Sequence, residues 1–357
     1  MEQFQHPADL GGPARAGRSY YLDLLKIISA FFVILIHVTA ENWYGEVRSA
    51  YWLVNNTYNA VSRWSVPVFC MVSGALLLSR DIPLKKLFRH YILRMALLLV
   101  FWALAYGVYS GSGPVWARLL ATGKGLLQGK AYSHLWYLFM LLGIYLVTPL
   151  LRAMVRGADR RLLRYFVICA GLWAVVLPTL LKLTPLKPLS GLLEAFQVRM
   201  FGGYVFYYVA GYYLHTFELP KWLRTALYAA APVLLAATAL YSDWRSWQDD
   251  HQYVNYGVFS VGTALFALAI FTVVRQLGPW LEGRSWPRRA IGTLGPLTFG
   301  IYLVHFGVEK VLLRLGLNSN VIHPLLGAPL LSLLIFLLCA AGCWVLSRIP
   351  GVRRLIL

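Results

Sequence analysis

The sequence predicts an all-α polytopic membrane protein, and three observations carry that prediction. Of the 357 residues, 59% are hydrophobic and only 13% charged, whereas a soluble domain has about 45–50% apolar and about 25% charged residues. Apolar runs recur along the chain at about 20 residues, the length that crosses ~30 Å of hydrocarbon as a helix. Lys and Arg gather in the short connections between the runs, and 22 Tyr, 18 Phe and 13 Trp provide for aromatic belts at the two interfaces.

Ten spans follow, at residues 20–40, 57–79, 91–110, 134–154, 165–183, 200–217, 225–241, 253–274, 291–313 and 325–347. The first opens on Asp23 and Lys26, which the apolar core of a secretory signal would avoid. Arg15, Arg18 and a Val38-Thr39-Ala40 cleavage site are therefore not read as a signal peptide. The second carries Arg63, the third is entered by Arg89 and Arg94, and the fourth opens on His134, Trp136 and Tyr137. The sixth, "MFGGYVFYYVAGYYLHTF", is short and aromatic. The ninth carries Tyr302, His305 and Glu309. The longest connection, 111–133, is Gly-rich. With the N-terminus inside, twenty connecting Lys and Arg fall on the cytoplasmic side and ten outside, so both termini are expected in the cytoplasm. The chain then divides into a tail at 1–19, a membrane domain at 20–347 and a tail at 348–357.

The net charge of +19 is spread over short membrane-flanking stretches, which points to anionic lipid and against nucleic acid. Cys70, Cys169, Cys339 and Cys343 all lie in apolar segments and form no CxxC pair. They read as packing residues, and no metal site or permanently bound cofactor is expected.

The first span, "YYLDLLKIISAFFVILIHVTA", raises the functional question. An ionisable group at bilayer depth costs roughly 2.5–3.5 kcal/mol on insertion scales. With Asp23 at 0° on a helical wheel, Lys26 falls at about 300°, His37 at about 320° and Glu41 at about 0°. All four share one narrow stripe on an otherwise apolar helix. Lys26 and His37, eleven residues apart, stand ~16 Å apart along the axis. Such a stripe suits a channel wall joining two depths.

The Lys26-x10-His37 spacing resembles the Arg/Lys-x10-His signature of the acyltransferase 3 family of integral membrane acyltransferases. "RWSVPVFCMVSG" (63–74), "HLWYLFMLLGIYLVTPLL" (134–151), "YYVAGYYL" (207–214) and "FGIYLVH" (299–305) are similar to further family motifs, in the family's order. The branch it most resembles O-acetylates surface polysaccharides and enterobacterial common antigen. Lys26 stands where Arg is commoner, which keeps the charge but loses the bidentate fork. The basic motif of the third span is spread out as Arg89 and Arg94 in "FRHYILR". The resemblance implies a multi-pass inner-membrane O-acyltransferase. Acetyl-CoA or another acyl-CoA would be its co-substrate, and a glycan or lipid-linked saccharide its acceptor.

Two tiers of residues then have expected roles. Lys26, Arg89, Arg94 and Ser73-Gly74 form a basic inner tier suited to an anionic donor, with Asp23 beside it. Plain membrane anchoring for the arginines and helix packing for Ser73-Gly74 are the structural alternatives. His37, Arg63 and Glu41 form the catalytic tier. His37 would act as general base, or carry the acyl group itself, and Glu41 would orient it one turn on. Arg63 or Tyr302 would stabilise the oxyanion. Arg63 has a structural alternative, an ion pair with Glu41 or Asp23. Tyr302 and His305 share a helix face with Glu309. Trp136 and Tyr137 are either an aromatic belt or a sugar platform for the acceptor. A transporter or flippase for a lipid-linked glycan is the competing function, and a non-catalytic membrane sensor of acyl donors the third.

Overall fold

The computed structural model describes residues 18–183, 203–250 and 256–351, and every regular element among them is helical. Most of the two tails, the start of the sixth and eighth spans, and His6, His251, Lys187 and Arg199 lie outside the described residues. Eight helices among the described residues are long and apolar enough to cross a membrane. Two further helices coincide with expected spans but are shorter. Val261–Gln276 has 16 residues and Tyr204–Thr216 has 13; at 1.5 Å per residue the latter covers only ~20 Å.

Helix α1 (Tyr20–Ala40) is the hub. It packs on α2 (Ala50–Ser62), α3 (Ser65–Leu78) and the helices Val261–Gln276, Thr298–Arg314 and Pro324–Leu346. Leu22, Leu25, Ile34 and Leu35 are buried there. Lys221–Asp249 is the opposite case, mostly unburied, with Val233 and Leu240 exposed. Lipid tails are as apolar as leucine, so close fit rather than expulsion from water holds the bundle. The tightest fit is α3 against Tyr204–Thr216. A Cβ on Gly74 would stand 1.8 Å from the Tyr208 carbonyl oxygen, and one on Gly211 would stand 2.0 Å from that of Met71. Gly74 is therefore a helix-packing glycine, the structural alternative expected for Ser73-Gly74.

The second span is longer than its apolar run suggests. It starts at Ala50, where Ser49 caps the helix by accepting from the Trp52 N–H at 3.1 Å. It breaks at Arg63–Trp64. Pro67 has no N–H to give the Arg63 carbonyl and its ring crowds that oxygen, so the helix is interrupted there. Buried Arg152 closes the other end of α3, donating to the Leu77 and Ile82 carbonyls at 3.1 and 2.8 Å.

The third span begins with one α-turn, α4 (Leu84–Lys86), passes through a π-helical stretch over Leu87–Ile92 and continues as α5 (Leu93–Ser110). The Gly-rich connection that follows is not all loop. It contains α6 (Val115–Leu127), whose Trp116, Leu120 and Leu127 are exposed on one side. A helix of this kind lies in the membrane surface. The fourth and fifth spans are α7 (Trp136–Gly157) and α8 (Arg160–Gly171), the latter capped by Asp159 on the Leu162 N–H at 2.7 Å.

Candidate active site

A cavity of about 140 Å³ runs along the polar stripe of α1. Lys26, Val33 and His37 line it from α1, Phe69 and Ser73 from α3, Met95 from α5, and Trp136 and Tyr137 from α7. His134 lines it from the loop just before α7, and Tyr302 from the helix Thr298–Arg314. The two depths marked out by the Lys26–His37 spacing thus open into one narrow space. Of the residues singled out in the sequence, Lys26, His37, Ser73, Trp136, Tyr137 and Tyr302 meet there.

The Lys26 end is electrostatically closed. The Asp23 carboxylate is paired with Lys26 Nζ at 2.5 Å and with Arg18 Nε at 2.5 Å. Two cations on one carboxylate leave a net positive charge. Arg89 and Arg94 are exposed, and neither has an ion-pair partner among the described residues. They do not line the cavity, but Met95, the neighbour of Arg94, does. The π-turn decides how these two arginines stand. In an α-helix, residues five apart are splayed by about 140°. Through the π-turn the hydrogen bonds run i→i+5, as from the Leu93 N–H to the Phe88 carbonyl, which sets residues five apart one above the other. Arg89 lies in that turn and Arg94 just beyond it, five residues on, so the turn narrows the angle between them.

The His37 end is electrostatically open. Neither ring nitrogen of His37 has a hydrogen-bond partner among the described residues. Its ring lies 5.1 Å from that of His305 and 6.3 Å from that of His134, centroid to centroid. The buried His305 donates through Nδ1 to the Tyr302 carbonyl at 2.6 Å, which leaves the Nε2 lone pair without a partner. His134 is only 1% exposed, yet both its ring nitrogens are unpartnered. One turn beyond His305, the buried Glu309 also has both carboxyl oxygens unpartnered. Orphaned buried polar atoms mark places where water or a ligand is to be expected.

Three expected placements are corrected. Glu41 does not orient His37. It lies just past the last residue of α1, where the chain leaves the helix, and pairs with Lys310 at 2.6 Å. Arg63 pairs with neither Glu41 nor Asp23 and is not on the cavity wall. It sits at the break between α2 and α3, donates from Nε to Asn59 Oδ1 at 2.9 Å and lies over the Tyr256 ring. Asn59 in turn donates to the Ile36 carbonyl at 2.8 Å, so Arg63 is anchored to the turn of α1 that holds His37. The Tyr302 hydroxyl donates to the His134 carbonyl. A hydroxyl has one proton to donate, so it has none left for an oxyanion. His305 stands behind His37 rather than on the cavity wall.

The sequence reading gave His134 no role of its own, because a histidine beside Trp136 at a helix start looks like part of an interfacial belt. The signal for it was spatial. Its ring is 5.3 Å from His305, which is 171 positions away by number. Among the described residues no cluster of His, Cys, Asp or Glu has the geometry to hold a metal ion.

No curated protein and no solved structure matches the chain. A family model described as an acyltransferase domain matches residues 19–348, nearly the whole chain. With its apolar spanning helices and cavity, the protein belongs to the acyltransferase 3 family of membrane acyltransferases.

Proposed function

We propose that this protein is a membrane O-acyltransferase that moves an acyl group, acetyl in the first instance, from cytoplasmic acyl-CoA to a hydroxyl of a cell-surface glycan or its lipid-linked precursor. One observation carries the reading: Lys26 and His37, ~16 Å apart along α1, line the same narrow cavity.

The donor's phosphates rest on Arg89 and Arg94, whose forks suit them, with Lys26 at the cavity mouth. The thin pantetheine arm runs past Val33 and presents its thioester at His37. There the neutral imidazole takes the proton of the acceptor hydroxyl. The new O–C bond forms as the C–S bond breaks, and the imidazolium returns the proton to the departing thiolate. The N–H of His134 is the donor nearest to hand for the oxyanion, and Arg63 acts from behind the wall. Tyr137 is buried on the path, while Trp136 lines it and is also exposed, as a belt residue would be.

The test is incubation of the purified protein with radiolabelled acetyl-CoA and membrane glycolipids. Label is expected in the glycan from the parent and not from His37→Ala. Glycan movement without label would replace the enzyme by the transporter. Saturable donor binding without product would leave only a sensor.

A further inference from the structure

A second, larger hollow lies beside the His37 end of the cavity. It has a volume of about 540 Å³ and runs between α5 and α6, lined by Ser110, Arg118, Thr122, Lys130 and Tyr132 among others. This volume lies within the usual range for small-molecule sites, ~300–1,000 Å³. Its lining is apolar for the larger part, with Ser110, Ser112, Arg118, Thr122 and Lys130 as its polar side chains, and carries no acidic side chain. The Arg118 guanidinium is held by the Gly113 and Val108 carbonyls, both at 2.7 Å, so it is fixed in place with its charge uncompensated. Lys130 is exposed, without an ion-pair partner among the described residues.

Position adds to chemistry. The groove-facing residues of α6, Ala117, Arg118, Ala121, Thr122 and Gly125, are flanked by the apolar residues Trp116 and Leu120 that face outward. Apolar residues exposed beside a basic groove are the pattern of a helix at the membrane surface, which would set the groove at headgroup level. Its inner end is Tyr132, whose ring stacks on Tyr106 at 5.0 Å and stands 6.1 Å from His134. His134 also lines the cavity that holds His37. The two hollows are thus separated by two side chains, and one of these, buried His134, has two unpartnered nitrogens.

We propose that the groove between α5 and α6 binds the acceptor, that the acceptor is an anionic saccharide carried at the membrane surface, and that its hydroxyl reaches His37 past Tyr132 and His134. Arg118 and Lys130 hold its phosphate or carboxylate, and the orphaned imidazole of His134 receives the reacting hydroxyl. This inference rests on the acyl transfer proposed above.

The experiment uses the whole protein in phosphatidylcholine vesicles with membrane glycolipids and radiolabelled acetyl-CoA. Lys130→Glu is expected to raise the acceptor KM roughly tenfold while the Kd for coenzyme A stays at the parent value. Glucose 6-phosphate is expected to inhibit transfer by the parent where glucose does not, and to lose that effect in Lys130→Glu. A parent-like acceptor KM in Lys130→Glu, or equal inhibition by the two sugars, overturns the proposal. So does a loss of transfer seen only when anionic lipid is added to the vesicles, since that assigns the cations to lipid headgroups. In an active parent these outcomes sink the groove alone. A parent that binds coenzyme A but transfers no label sinks the acyl transfer, and the groove with it.

Discussion

The two ends of the cavity along α1 are built on opposite principles. At the Lys26 end each charged group has an ion-pair partner, Asp23 being shared between Lys26 and Arg18 at 2.5 Å each, and one positive charge is left over. At the His37 end three imidazoles crowd together and three of their nitrogens are buried without partners, both on His134 and one on His305. Buried polar groups are normally satisfied, so an end left incomplete is one that a reacting molecule completes. The matched end can hold its shape alone and serves as an entrance. The contrast separates binding from chemistry along one helix.

The largest effect expected to test this contrast is at the open end. His37→Ala should lower transfer by ~10²–10⁴-fold, the usual worth of a general base, with coenzyme A affinity unchanged by calorimetry. A variant that loses donor affinity in step with rate would erase the distinction between the ends. Next comes the entrance. Arg89→Gln combined with Arg94→Gln should weaken coenzyme A binding by roughly a hundredfold or more, as charged hydrogen bonds contribute about 1.5–3 kcal/mol each, and should leave the rate at saturating donor near the parent's. An unchanged affinity would remove the π-turn arginines from the donor site.

The scaffold that both ends share gives a smaller effect, on stability. Gly74→Ala would drive a methyl group into the Tyr208 carbonyl. Overpacking typically costs about 1–3 kcal/mol, to be read as a lowered midpoint of thermal unfolding in detergent. An unshifted midpoint would mean that the two helices part freely. Smallest of all is Glu41→Gln, since the carboxylate pairs with Lys310 at the half-exposed rim. Exposed pairs contribute about 0–1 kcal/mol, and transfer activity should change less than twofold. A hundredfold loss would return Glu41 to the catalytic histidine.

Much of this architecture was legible in the residues. A helix in a bilayer must satisfy its own backbone, so long apolar runs declare themselves, and helical periodicity alone placed Lys26 and His37 on one wall. What escaped depended on contacts between distant segments or on local breaks. Nothing within α1 indicates that Glu41 finds Lys310, or that Tyr302 is tied to the His134 carbonyl. The break at Arg63 was written in Pro67, and the start of α2 in Ser49, but both were hidden by the apolar run that follows. The surface helix α6 was masked by its glycines, although Trp116, Leu119 and Leu120 already carried its spacing. The π-turn over Leu87–Ile92 has no composition signal, and without it Arg89 and Arg94 look mismatched.

The central claim is that the space shared by Lys26 and His37 carries the acyl arm from one end to the other. Val33 lies on its wall, two turns beyond Lys26 and one before His37. Val33→Trp should plug the passage, so the most direct measurement is single-turnover acetyl transfer by that variant alongside its coenzyme A affinity, with Val33→Ala as the control for folding. The account predicts transfer abolished in the tryptophan variant while coenzyme A still binds at the entrance, and transfer retained with alanine. Parent-like transfer through the plugged passage would contradict it.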